Sequence, residues 1–579
     1  MSSGWRALLS SFQELTVAEA YLRLLKSRGI DYLFANAGTD FAPILEAYAK
    51  SADEQDFLPI PVTVPHENVA IHMALGYWLA TRRMQAVMVH VNVGTANAAL
   101  GIINAARANI PVFFAAGRTP INEKGAFGSR NLHVHWSQEM FDQASMVREF
   151  MKWDYELRGA QQLRTIIERA LAVADTHPKG PVYLTLPREV LASSATDGPR
   201  FPPCRQFVPS EPQPDPRALD EAARLLRAAH APLIITSSMG FDAAAPDALA
   251  NFSECFGVPV VHFNARCLAI PTTHPMHAGF DPVPWLASAD LVFVLECAVP
   301  WIPEQIEPRS GAKVVHVAVD PLYQRLPVRG FESDLSITGM TSTTLALLSE
   351  RVADLRRDAA DDIERRRAEV AEFNRAQAAK RKGLLDQVRT QVPIHPAWAS
   401  HCLNEAKGGD SIVLKEAPLL AMPYMSFDDT EGFYMAGAAG GLGWGMGAAV
   451  GAKMGSPDRL VIAVEGDGSY MFCEPVSAHC AALGQDTPFL TVVLDNQRWN
   501  EVRASTLHMY PAGDASQAGA YEPLTHFHKG LKLEKVVESV GGYGERVTDP
   551  SALPGALARA IRIVKEERRQ VVLDIVCSG

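Results

Sequence analysis

Four apolar runs in the last third of the chain, SIVLKE, LVIAVEGD, FLTVVLDN and VVLDIV, are separated by stretches with helical spacing. A strand that is apolar on both faces must be covered on both faces. Helices lying between successive strands supply that cover when the strands run parallel. The same alternation occurs in two earlier blocks. YLFANAG, AVMVHVNVG and PVFFAAG mark the first, and PLIITSS, PVVHF, LVFVLE and KVVHVAVD the second. The pattern predicts an α/β protein of three domains, each with a central parallel sheet flanked by helices. Ligands of such sheets bind beyond the carboxyl ends of the strands. The polar strand tips therefore carry the functional interest: Ala37-Gly38-Thr39, His90, Glu465-Gly466-Asp467-Gly468 and Asp495-Asn496.

Two seams divide the blocks. Residues 194–217, SSATDGPRFPPCRQFVPSEPQPDP, are rich in Pro and Ser and read as a linker. Residues 350–385 are charged and Ala-rich and read as a connecting helix. The expected domains are thus 12–193, 215–345 and 390–579. A net charge of −11 and the lack of a dense Lys/Arg stripe argue against a nucleic-acid surface. No apolar run reaches the roughly 18 residues that a membrane-spanning helix needs, so no membrane span is expected. The eight cysteines are scattered, without a metal-knuckle spacing. Together with an N-terminus, MSSGWRALLSSFQE, that lacks a secretory pattern, they predict a cytoplasmic protein.

The tips of the third block suggest a chemistry. Asp467 follows a strand and stands between two glycines, and a helix is expected from about Ser469. A helix N-terminus favours an anion such as phosphate. A carboxylate beside a phosphate is repulsive unless a cation lies between them. Asp495 ends the next strand, and two hard oxygen ligands suit Mg²⁺ or Ca²⁺. A rival reading takes Gly443-Trp444-Gly445-Met446-Gly447-Ala448, with Glu465 beyond, as a dinucleotide fingerprint. It rests on a weak strand, GFYMAGAAG, and leaves Asp467 and Asp495 without a task.

GDG, then 26 residues, then Asp-Asn resembles the thiamine-diphosphate (ThDP) motif, in which GDG is spaced to an Asn-Asn pair. AAGGLGWGMGAAVGAKM and VPHENVAIHMALGYWLATRRMQAVMVHVNVGTANAALGIINA resemble segments of the ThDP superfamily of acetolactate synthase, benzoylformate decarboxylase and benzaldehyde lyase. THPMHAG and HVAVDP are similar to its middle domain. The resemblance spans nearly the whole chain and names the three domains pyrimidine-binding, middle and diphosphate-binding.

It also implies roles. Asp467, Asp495 and the main-chain oxygen of Gln497 would hold Mg²⁺. Gly466, Gly468, Ser469 and Asn496 would lie on the cofactor. Leu442 would be the apolar wedge beneath the cofactor, and the Gly441 carbonyl would accept from its amino group. Glu67 would hydrogen-bond the aminopyrimidine ring. His90, Thr39 and Gln138 fall where relatives carry substrate-pocket residues. The implied activity makes or breaks a C–C bond beside a carbonyl. The substrate would be a 2-oxo acid, taken by a decarboxylase or an acetolactate-synthase-like carboligase. The alternative is a lyase for 2-hydroxy ketones or 2-hydroxyacyl-CoA that releases no CO₂. A homodimer at minimum, and a homotetramer, are implied as well. FAD or ADP occupies the middle domain of some relatives, but TSSMGFD lacks the usual Gly-Gly pair. Other departures are Asp495 in place of Asn, AVPWIPEQ where the decarboxylase has a second histidine, and Trp499 and Glu501 after the metal loop. Residues 504–529 are turn-rich and read as a lid.

Overall fold

The computed structural model describes residues 15–196, 201–205, 208–518, 522–527 and 530–579. The first 14 residues, on which the secretory reading rests, lie outside them, as do parts of the linker and of the lid segment.

Three sheets form, every strand pair parallel. The first contains β1 (Tyr32–Ala35), β2 (Ile60–Thr63), β3 (Ala86–Val89), β4 (Phe113–Arg118), β5 (Trp153–Glu156) and β6 (Val182–Pro187) in the order β2-β1-β3-β4-β6-β5. The second contains β7 (Pro232–Thr236), β8 (Val260–His262), β9 (Leu291–Leu295), β10 (Lys313–Ala318) and β11 (Leu335–Thr338) in the order β11-β10-β9-β7-β8. The third contains β12 (Ser411–Lys415), β13 (Phe433–Met435), β14 (Leu460–Gly466), β15 (Leu490–Asp495), β16 (Tyr543–Val547) and β17 (Val571–Val576) in the order β13-β12-β14-β15-β17-β16. The first and third sheets therefore share one winding. Chain order reverses between β1 and β3 and, equivalently, between β12 and β14. Such a reversal opens a crevice at the strand ends.

The apolar runs form the interior strands, with β3, β7 and β9 buried at every residue. Six strands are not marked by the apolar runs: β2, β5, β11, β13 and β16 lie at sheet edges, while β6 lies inside the first sheet, where buried Tyr183 and Thr185 interrupt the apolar pattern. An edge strand has one neighbour and less cover, so polar residues survive in it; only Val62 of β2 is buried. GFYMAGAAG thus contributes a strand after all, β13. The run AVMVHVNVG is strand only to Val89; helix Val91–Arg107 starts directly after His90.

Contacts divide the chain into two compact units. One is built on the first sheet and includes Gly437–Pro457 and Phe472–Thr487. Its centre holds helix Glu67–Thr81, which is buried on all sides from Glu67 to Leu79. Helix Gly445–Gly455 packs on it through glycines. A Cβ on Gly76 would meet the Ala448 carbonyl at 2.0 Å, and one on Gly451 the Met73 carbonyl at 1.9 Å.

The other unit carries the second and third sheets. In it, the charged seam is helical over Ala360–Val388. This helix is anchored by buried Arg366, which donates to the carbonyls of Phe256 (2.8 Å) and Gly257 (3.1 Å) at the end of helix Ala245–Phe256. Among the described residues no helix is long and apolar enough to cross a membrane.

Candidate functional site

The predicted residues fall into two clusters. The first lies at the crevice of the first sheet, with Thr39 exposed just beyond β1 and His90 just beyond β3. His90 Nδ1 meets Asp40 Oδ1 at 2.5 Å, and Gln138 Nε2 lies 3.4 Å from His90 Nε2. The bond to Asp40 pushes the imidazole above its ordinary pKa, against the opposing effect of burial.

Glu67 is the first residue of its helix, where a carboxylate suits the helix dipole. It is nonetheless 8% exposed, with Oε2 accepting from Asn97 Nδ2 at 3.1 Å. The helix start is capped by His66, whose Nδ1 accepts from the Asn68 amide. Gly94 leaves the space beside the carboxylate open, since a Cβ there would stand 3.2 Å from Glu67 Oε1.

Gly441 and Leu442 belong to the same unit. The Gly441 carbonyl accepts from Asn104 Nδ2 at 2.9 Å, so one of its lone pairs is engaged and one is left. His135 is buried, and its Nδ1 accepts from the Asn131 and Leu132 amides at 3.3 and 3.4 Å. It shapes the loop that presents Gln138.

The second cluster lies at the tips of β14 and β15. Gly466 pairs with Leu494, which places Asp467 beside Asp495. Helix Asp467–Phe472 begins at the aspartate itself, two residues earlier than its sequence suggests. Asp467 Oδ1 accepts from the Gly468 amide at 2.8 Å, and its Oδ2 from the Arg498 amide at 3.2 Å. Asp495 Oδ1 accepts from the Gln497 amide at 2.9 Å. Its Oδ2 accepts from Arg546 Nη2 at 2.8 Å, and the same guanidinium also binds buried Asp574.

Gln497 turns the chain here with φ of +61°, a strained value for a residue with a side chain. Its carbonyl accepts from the Phe527 amide at 3.0 Å. Asn496 Oδ1 accepts from the Arg498 amide at 3.1 Å. Together Asp467, Asp495, Gln497, Phe527, Leu531 and Leu533 line a cavity of about 10 Å³, the scale of one water or ion.

Burial and the neighbouring Asp495 push the Asp467 carboxyl well above the usual range. Desolvated beside Asp495, the Asp467 carboxyl resists ionisation until a cation joins it. Hard oxygen donors and ion-sized space both fit Mg²⁺. At Gly468, however, the place of a Cβ is filled by the ring of Trp499, 2.1 Å away. Glycine is required there by the tryptophan, whatever else approaches the turn. Ser469 is buried one residue further on.

The segment read as a lid is largely helical over its described residues, with helices Asn500–Met509, Asp514–Ala518 and Glu522–Thr525. Asp40, Asn97, Asn104 and Arg546 join the site without a sequence signal of their own. The first directly follows Thr39 and was hidden by being one residue off the strand tip. The other three sit inside helices or an edge strand, and only the fold aims them at the site.

Comparison with known proteins identifies the family and the fold. Residues 15–146 match the family model of the thiamine pyrophosphate enzyme N-terminal TPP-binding domain, and residues 417–575 that of the C-terminal TPP-binding domain. The chain is 22% identical over 580 residues to the acetolactate synthase large subunit of Haemophilus influenzae, covering 97% of this chain and 94% of that protein. It is 26% identical over 503 residues to the benzoylformate decarboxylase of Pseudomonas aeruginosa, covering 84% and 87%. The fold is similar to that of the thiamine diphosphate-dependent 4-hydroxybenzoylformate decarboxylase of Rhodococcus jostii RHA1, with a TM-score of 0.75 at 21% identity over 97% of this chain and 99% of that one. The chain belongs to the thiamine pyrophosphate enzyme family.

Proposed function

We propose that the protein uses thiamine diphosphate and Mg²⁺ to make or break a C–C bond beside the carbonyl of a 2-oxo acid, as a decarboxylase or as an acetolactate-synthase-like carboligase. When bound, thiamine diphosphate supplies the electron sink that such a bond cleavage needs. Asp467 and Asp495 would each give one carboxylate oxygen to Mg²⁺, and Gln497 its main-chain oxygen. Gly466, Gly468, Ser469 and Asn496 would lie along the diphosphate. Glu67 would hydrogen-bond the aminopyrimidine ring, with Asn97 holding the other end of its carboxyl. Leu442 and the Gly441 carbonyl would seat the cofactor between them. Thr39 and Gln138 would border the substrate.

The observation that carries the substrate class is His90. Its imidazole stands in the crevice with Nδ1 tied to Asp40, and a substrate carboxylate or carbonyl would meet Nε2, which lies 3.4 Å from Gln138 Nε2. Relatives named acetolactate synthase and benzoylformate decarboxylase support a 2-oxo acid. We also take the working assembly to be a homodimer or homotetramer. Phe127, Trp136 and Phe141 stand exposed on the loop after β4 and offer apolar surface that a second copy would cover.

The deciding experiment measures CO₂ release from aliphatic and aromatic 2-oxo acids, with thiamine diphosphate and Mg²⁺ supplied or withheld. Cofactor-dependent CO₂ is expected. Its absence from every acid, with aldehyde released from a 2-hydroxy ketone or 2-hydroxyacyl thioester, would establish the lyase reading instead.

A further inference from the structure

We propose that Asp40 is a positioning residue for the reaction: it binds Nδ1 of His90 and commits the opposite nitrogen, Nε2, to donating the proton that the substrate takes up. The proposal rests on the substrate-pocket reading of His90 given above.

The dyad is built into the sheet. Asp40 follows β1 and His90 follows β3, the two strands between which the winding reverses. Asp40 is buried, at 3% side-chain exposure, while His90 retains 20%. The acid therefore sits behind the imidazole, away from solvent. Two glycines on either side leave the room. A Cβ on Gly38 would fall 2.1 Å from His90 Nδ1, and a Cβ on Gly117, near the end of β4, would fall 1.5 Å from Asp40 Oδ2. Any side chain at either place would displace one partner. Asp40 Oδ2 receives only a long 3.4 Å contact from the Val91 amide, so helix capping is a minor part of its work.

The surrounding charges do not replace this pairing. Arg188 feels Asp40, but its guanidinium is spent on the carbonyls of Gly128 and Ser129 and the side chain of Asn131. Glu67, on the next helix, adds a second negative charge facing His90. His135, on the Gln138 loop, adds only an opposing one if protonated. The direct bond from Asp40 outweighs burial and holds His90 above the ordinary histidine value.

In turnover, Nε2–H gives its proton to the carbonyl oxygen of the substrate as the carbon is attacked and the π pair moves to oxygen. The imidazolium becomes a neutral imidazole whose remaining proton stays on Nδ1 against Asp40. Solvent returns the proton to Nε2 before the next cycle.

The test follows His90 without relying on turnover. Carbethoxylation by diethyl pyrocarbonate reacts with the neutral imidazole, and peptide mass spectrometry reads it at His90 across a pH series. In the wild type the midpoint is expected above that of a free histidine, about 6.5. In Asp40→Asn, which keeps shape and capping, it is expected to fall by at least one unit. The alkaline limb of kcat/KM should move with it, and kcat should drop by about 10²- to 10⁴-fold. Gly117→Ala, which crowds Asp40 out, should give the same midpoint shift and serves if Asp40→Asn does not fold. Coincident His90 midpoints in the wild type and the variant overturn the proposal. A protein that shows the shift but releases no CO₂ keeps the dyad and loses the 2-oxo acid reading.

Discussion

At the scale of single residues, the site shows how one substitution is accommodated by others. Asp495 stands where the related motif has asparagine, which adds a negative charge to a cavity that already holds Asp467. Arg546 answers it, bridging Asp495 and the fully buried Asp574 from an edge strand. The guanidinium also leaves only part of the Asp495 carboxylate free for a metal. Arg546→Met should therefore expose two buried acids to each other. The expected cost is about 3–5 kcal/mol of stability, the usual penalty for removing one partner of a buried ion pair. Chemical denaturation of the metal-free protein measures it, and loss below about 1 kcal/mol would show the pair to be solvent-screened. Asp467, Asp495 and His90 were legible in sequence because they end apolar runs. Arg546 and Asp40 were not, because nothing local distinguishes a charged residue that faces solvent from one that meets a buried partner.

Among the elements, helices Glu67–Thr81 and Gly445–Gly455 depend on backbone-to-backbone approach. Neither has the polar stripe of a surface helix; nearly all their residues are buried. The glycines that permit the approach look in sequence like a phosphate-binding run. They serve here as packing positions: a Cβ on Gly447 would stand 2.7 Å from His72 Cβ, and one on Gly451, just beyond the run, 1.9 Å from the Met73 carbonyl. Gly451→Val should force the helices apart and cost about 1–3 kcal/mol or more, the range for overpacked cores. Gly484→Ala is the matched control, because nothing lies within 4 Å of its added Cβ. Thermal melts of the two variants should separate clearly; equal melting temperatures would mean that the helix pair can yield without cost. The interior strands other than β6 were readable for the converse reason. Burial on both faces demands apolar residues at every position, while the edge strands β2, β5 and β16 carry exposed or half-buried residues and blend with loops.

For the whole molecule, the buried acids couple stability to pH and metal. The folded state raises the pKa of Asp467, by burial and by Asp495, above the value of an unfolded aspartate. Asp574 is raised in the same direction. A raised acid contributes stability that is fully present below its unfolded pKa and is lost as pH climbs through the folded value. The metal-free protein should therefore weaken from mildly acidic to mildly alkaline pH. Under the proposed function, Mg²⁺ would bind the ionised Asp467 carboxylate and should restore more stability at the alkaline end. Differential scanning fluorimetry across pH, with Mg²⁺ and thiamine diphosphate or with EDTA, reads this directly; a metal effect that shrinks as pH rises would contradict it. The sequence by itself determined three parallel α/β sheets, all their interior strands but β6, and the acids at their tips, because apolar continuity and turn residues are local properties. Only the tertiary structure decided the matching winding of the first and third sheets, the Asp40–His90 and Asp495–Arg546–Asp574 groupings, and the closure of Gly468 by Trp499. Those depend on which strand ends are neighbours, and adjacency across a sheet is set by packing between residues far apart in the chain.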